Sequence, residues 1–157
     1  MAYARAAAMI ATPIGPIRVE ADGDVLTGIR IGGSAATESD LPVLRETLAQ
    51  LAAYFDGKLT RFDLPLAPLP SERGPALREA ICGIGYGETA TYGDLAAQTG
   101  ASARAVGQAC ATNPFPIVVP CHRVLGAGGA LSYYSAGNGP DTKIWLLKHE
   151  RAEGWLL

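Results

Sequence analysis

The chain has 157 residues, 48% of them apolar and 18% charged, with a formal charge of −2; that length and balance fit one or two small domains with a real core. No apolar stretch reaches the roughly 20 residues that a membrane-crossing helix needs, and the net negative charge excludes nucleic-acid affinity from bulk basicity alone. Cys82, Cys110 and Cys121 are odd in number and lack close metal spacing, which points to free thiols, a reducing (cytoplasmic) compartment and no metal site.

In chain order, Ala6–Ala11 is short for an export signal and reads as the start of a domain. Ile14, Ile17 and Val19 lead into Ala21-Asp22-Gly23-Asp24, and Val25 to Ile31 return, which predicts a hairpin. A helix follows over 40–56. Asp40 is its expected N-cap, Pro42 sits in its first turn, and Leu44, Leu48, Leu51, Ala52 and Phe55 recur at helical spacing. Phe62, Leu64 and Leu66 alternate as a strand, and Pro65, Pro68 and Pro70 mark an extended linker. The expected division is 1–70 and 71–157. No Cys or His precedes Cys82, so a Cys/His zinc site in the first domain is excluded.

The second half predicts a helix over 74–84 with Leu77, Ile81 and Ile84 inward. Thr91-Tyr92-Gly93-Asp94 opens a short helix that Gly100 stops, and Ala101-Ser102 restarts a helix through Cys110. This is helix-turn-helix spacing. The second helix is slim, built on Ala101, Ala103, Ala105, Gly107 and Ala109, and Arg104 is its only cation. Residues 95–140 hold Arg104 and Arg123 and no Asp or Glu, a surface that does not repel phosphate and gives a shallow salt slope.

Residues 116–125 read as the chemical centre. The β-branched run Ile117–Val119 predicts a buried strand, and Pro120, with no N–H to give, ends it. Cys121 follows, flanked by His122 and Arg123. A neighbouring cation lowers a thiol pKa and makes the nucleophilic thiolate; the alternative is a buried core cysteine. Beyond a glycine-rich loop, Tyr133, Tyr134 and Ser135 can wall a planar ligand. Asp141 or Thr142 is the expected cap of a last helix that carries Trp145, Leu146, Leu147 and Glu150, and Glu150 can orient a histidine.

Pro120-Cys121-His122-Arg123-Val124 resembles the active-site motif of the O6-alkylguanine-DNA alkyltransferases. Tyr86-Gly87-Glu88-Thr89, Tyr92-Gly93, Arg104-Ala105-Val106-Gly107, Asn113-Pro114, Tyr134-Ser135 and Trp145-Leu146-Leu147 with His149-Glu150 match in the same order. Thr12-Pro13-Ile14-Gly15, Tyr54-Phe55-Asp56-Gly57 and Phe62-Asp63-Leu64-Pro65 match more weakly. The resemblance implies an α/β, ribonuclease-H-like N-terminal domain and a mainly helical, winged-helix-like DNA-binding domain. It further implies a monomer, without cofactor, that acts on duplex DNA containing O6-alkylguanine or O4-alkylthymine. The base flips out, Cys121 takes the alkyl group once, His122 relays the thiol proton and Glu150 orients His122. Tyr92, Arg104, Ala105 and Gly107 would meet DNA through the minor groove. Tyr92, Val124, Tyr134 and Ser135 would line the base pocket, and Asn113, Pro120 and Arg123 would support it. A bacterial protein would meet the nucleoid in the cytoplasm, a eukaryotic one DNA in the nucleus.

Three positions depart from the family pattern. Gly85 replaces a proline and is expected to loosen its turn; the stretch between Tyr134 and Trp145 is longer; Ile144 replaces a charged residue. Two other readings compete. A noncatalytic alkyltransferase-like binder of damaged DNA would lack Cys121, and a thiol hydrolase would turn over.

Overall fold

A computed structural model describes residues 5–32 and 39–152. The chain divides into two compact units, Met1–Ala67 and Pro68–Leu157.

In the first unit three strands, β1 (Arg5–Ile10), β2 (Ile17–Asp22) and β3 (Val25–Ile31), form an antiparallel sheet in sequence order. The expected hairpin is β2–β3. It turns at Gly23, whose φ of 63° suits a residue without a Cβ. Ile17, Val19 and Ala21 alternate inward on β2. The β2–β3 register shifts between Glu20 and Ala21. An extra residue on β3 changes its phase, so Leu26, Ile29 and Ile31 are the buried positions there. β1 was not anticipated, because an alanine run carries little strand signal.

Helix α1 (Pro42–Phe55) packs on β1 and β2 through Val43, Leu44, Thr47, Leu51 and Tyr54. Its N-cap is Leu41, which makes no side-chain cap bond, so the expected Asp40 cap is corrected: the helix starts two residues later, on the proline. The expected strand at Phe62–Leu66 reduces to one bridge, Leu66 to Leu26. Leu26 N–H donates to Pro65 O at 2.8 Å and Ala67 N–H to Leu26 O at 2.9 Å. Pro65 has no N–H with which to extend that ladder.

The second unit holds α2 (Gly74–Cys82), α3 (Tyr92–Thr99), α4 (Ala103–Ala111) and α5 (Pro140–His149), with a short parallel pairing of β4 (Ala90–Thr91) and β5 (Val124–Leu125). Thr91 caps α3 in a reciprocal box: its hydroxyl accepts Asp94 N–H, and the Asp94 carboxylate accepts Thr91 N–H, both at 3.0 Å. Gly100 closes α3 at φ 74°, and Ser102 caps α4 by accepting Ala105 N–H. The two helices pack together, and Leu95 on α3 and Val106 on α4 are buried. Gly85 N–H donates to Glu88 Oε1 at 3.0 Å, and Glu88 N–H returns to Gly85 O. A proline could not make the first of these bonds, so this turn is held rather than loosened.

The expected cap of α5 is also corrected. Gly139 is the N-cap and Pro140 the first helical residue; the Thr142 hydroxyl accepts Asn138 N–H at 2.8 Å instead. Among the described residues no helix is long and apolar enough to cross a membrane.

Candidate active site

Ile117–Val119 is a turn, not the expected strand. Ile117 has φ 74° and is 1% exposed, a left-handed conformation that a β-branched residue adopts only when its surroundings hold it there. Pro120 at φ −82°, ψ 64° makes an inverse γ-turn, in which Cys121 N–H donates to Val119 O at 2.8 Å. Cys121–Arg123 then form a single 3-10 turn. Asn113 ties the segment together. Its Nδ2 donates to Val119 O at 3.0 Å and to Cys121 Sγ at 3.4 Å, while its Oδ1 accepts Phe115 N–H at 2.9 Å.

Behind Cys121 lies a buried charge network. His122 Nε2 is 2.7 Å from Glu150 Oε2. Arg123 grips the same carboxylate with both prongs, Nε to Oε1 at 2.8 Å and Nη2 to Oε2 at 3.0 Å, and its Nη1 donates to Ile84 O at 2.6 Å. The guanidinium also lies 5.8 Å from the Tyr86 ring centroid. Burial pushes the Glu150 carboxyl up, but the hydrogen bonds and charges of His122 and Arg123 outweigh it and hold Glu150 well below its ordinary range. Burial lowers the His122 pKa, aided by the Arg123 and Lys143 charges and opposed by Glu150. The imidazole is therefore neutral at pH 7. An ionised carboxylate only accepts, so Nε2 carries the hydrogen and Nδ1 the lone pair. That Nδ1 is buried and has no hydrogen-bond partner among the described residues.

Glu150 owes its place to the end of α5. It is the C-cap residue, and Arg151 follows with φ 54°. Arg151 N–H donates to Lys148 O and Ala152 N–H to Leu147 O, a Schellman closure. Ala152 packs with Leu147 and Leu125 beneath it.

The Cys121 thiol is raised well above its ordinary value, first by the Cys110 thiol beside it and then by burial; the Asn113 hydrogen bond and the Lys143 charge oppose this. It rests as a thiol, contrary to the expectation that neighbouring cations make a standing thiolate. Arg123 is spent on Glu150 and His122 is neutral. The unpartnered lone pair of His122 Nδ1 lies on the same 3-10 turn as this thiol.

Tyr92, at the start of α3, places its hydroxyl 2.9 Å from Ser132 Oγ. The Val124 carbonyl accepts from Lys143 Nζ at 2.6 Å. Tyr134 is buried, and burial, with the charges of Cys121 and Glu150, raises its pKa. Pro120 is buried behind Cys121, whereas Ser135 is exposed on its loop. Arg104 is exposed on α4, with Ala105 and Gly107 half-buried beside it. A Cβ added at Gly107 would meet no heavy atom within 4 Å, so that helix face is open. Lys143, Ser132 and Cys110 belong to the same site and were not anticipated. Lys143 lies three and four residues before Leu146 and Leu147, on the apolar face of α5, and that spacing was the available signal.

Residues 76–152 match the 6-O-methylguanine DNA methyltransferase, DNA binding domain, and residues 6–68 the ribonuclease-like domain of the same methyltransferase. A methylated-DNA–protein-cysteine methyltransferase from Mycobacterium leprae is 40% identical over 148 residues, 89% of this chain and 88% of that one. The chain belongs to the 6-O-methylguanine DNA methyltransferase family. A second methyltransferase of that name, from Methanosarcina barkeri, is 42% identical over 151 residues, covering 90% and 94% of the two chains. Among solved structures, Mycobacterium tuberculosis OGT in complex with DNA superposes with a TM-score of 0.80 at 40% identity over 96% of each chain. The ribonuclease-like unit with its sheet and the helical DNA-binding unit are thus both present in this family member.

Proposed function

We propose that this protein repairs duplex DNA by moving the alkyl group of O6-alkylguanine, and of O4-alkylthymine, onto Cys121, one group per molecule. The observation that carries the reading is a buried thiol on the same turn as a neutral histidine, itself backed by an ionised glutamate, inside a helix-turn-helix unit.

Helix α4 enters the minor groove, where Ala105 and Gly107 allow close approach. Cys121 is 4% exposed and cannot reach an alkyl group inside the stack, so the base is extruded and Arg104 fills the gap. Tyr92, the Val124 backbone, Tyr134 and Ser135 receive the base; Asn113, Pro120 and Arg123 hold the wall from behind. The thiol proton passes through a water to His122 Nδ1, and Glu150 stabilises the imidazolium that results. The sulfur–carbon bond forms as the carbon–O6 bond breaks. The electron pair leaves with O6, and the guanine takes up a proton. A thioether has no easy reversal, so the protein acts once. It needs no cofactor, works as a monomer, and acts where DNA lies open to it in the cytoplasm.

Labelled methyl transfer from a duplex tests the reaction class. One label held per protein supports the reading; no label lost from the duplex fits a noncatalytic binder, and many labels released to water per protein fit a hydrolase.

A further inference from the structure

Lys143 is fully buried, and its ammonium has only hydrogens to give. It donates to Val124 O at 2.6 Å and to Ser132 Oγ at 2.9 Å. A hydroxyl that accepts from an ammonium keeps one hydrogen to place. Ser132 has two acceptors in reach, the Tyr92 oxygen at 2.9 Å and Val124 O at 3.4 Å. The Val124 oxygen keeps a second lone pair, but its contact with Ser132 is the longer of the two, so the Ser132 hydrogen is assigned to the shorter contact, toward Tyr92. The chain then has one direction: Lys143 to Ser132, Ser132 to Tyr92. The Tyr92 hydroxyl, with its oxygen occupied as acceptor, has its own hydrogen left to donate away from the protein.

We propose that Ser132, polarised by Lys143, is a positioning residue that fixes the Tyr92 hydroxyl as an outward hydrogen-bond donor to the extruded base. The inference rests on the reading of Tyr92 as a base contact. A donor on the base edge favours the departing guanine, which gains negative charge as the carbon–O6 bond breaks, over the neutral substrate. No proton leaves Tyr92 in this scheme.

The electrostatics agree. Burial raises the Tyr92 pKa, while the Ser132 hydrogen bond lowers it. Burial pushes Lys143 down to about 8, against the pull of Cys110 and Cys121. The titratable groups that face it are Cys110 from α4, Cys121 and His122 from the 3-10 turn, and Tyr92 from α3 through Ser132. Lys143 is thus charged at neutral pH and loses its charge just above it.

The test is a double-mutant cycle on the second-order rate of transfer from an O6-methylguanine duplex. Ser132→Ala should slow transfer by about tenfold, one charge-assisted hydrogen bond's effect, with DNA affinity and Tm kept. Ser132→Gly should match it, and Ser132→Thr, which restores the hydroxyl, should recover the rate. In a Tyr92→Phe background Ser132→Ala should cost less than about twofold, since the chain no longer has an end to act on. The advantage of the unaltered protein over Tyr92→Phe should also shrink as pH rises through about 8. Equal slowing by Ser132→Ala in both backgrounds would overturn the proposal. A Tyr92→Phe protein as fast as the unaltered one would overturn both the base contact and the chain. An unaltered protein that transfers nothing would overturn the functional reading itself.

Discussion

Glu150 Oε2 lies 2.7 Å from His122 Nε2, with both side chains fully buried. The two residues are 28 positions apart in sequence and meet because α5 ends in a Schellman closure directly behind the 3-10 turn that carries Cys121. The carboxylate fixes the tautomer, so the free lone pair of His122 is on Nδ1.

Glu150→Gln removes the charge that steadies His122 and Arg123. Transfer is expected to slow by at least tenfold, part of the roughly 100–10,000-fold that general-base catalysis contributes, and its pH–rate profile should move upward, because a weaker base draws the Cys121 proton later. Breaking a buried charge network also costs about 3 kcal/mol, which denaturant unfolding reads directly. A mutant with an unchanged profile would leave Glu150 a structural role only.

The same residue sets an acid limit. The folded-state pKa of Glu150 lies below its ordinary 4.5. Its stabilisation is therefore complete above pH 4.5 and is lost as pH falls toward the folded value. The stability gap between the unaltered protein and Glu150→Gln should narrow below pH 4.5; a gap constant with pH would contradict the shift.

Arg104 is exposed on the open face of α4. If it replaces the extruded base, Arg104→Ala should slow repair of duplex DNA at least tenfold and leave reaction with free O6-benzylguanine within about twofold. Unstacking costs a few kcal/mol and arises only in the duplex. Equal loss on both substrates would place Arg104 in folding or chemistry.

Arg151 holds φ 54° at the position where helices prefer glycine. Arg151→Gly should stabilise the protein by about 1 kcal/mol, read as a rise in Tm, with the transfer rate unchanged. A fall in Tm would mean that the Arg151 side chain contributes more than its backbone costs.

Much of the helix-turn-helix was legible because its signals are local: the Thr91 and Asp94 box, the Gly100 stop and the Ser102 cap are each set within a few residues. Ile117–Val119 misled for the opposite reason. Its β-branched side chains favour a strand, yet tertiary packing and the Asn113 brace hold Ile117 in a left-handed turn. Asp40 looked like a cap but lost to Pro42, whose fixed φ starts α1 later. In the site, the Cys121 motif was visible as a run of adjacent residues. Lys143 and Ser132 were hidden because a lysine and a loop serine ordinarily face water; here Tyr92 and Val124 O supply partners that only the folded chain brings near.

The most direct test of the account is peptide-level mass spectrometry after the protein meets an excess of O6-methylguanine duplex. One added methyl group on Cys121, in a reaction that stops at one equivalent and is abolished by Cys121→Ser while DNA binding persists, is the predicted result. Methyl on Cys82 or Cys110, or continued turnover beyond one equivalent, would contradict it.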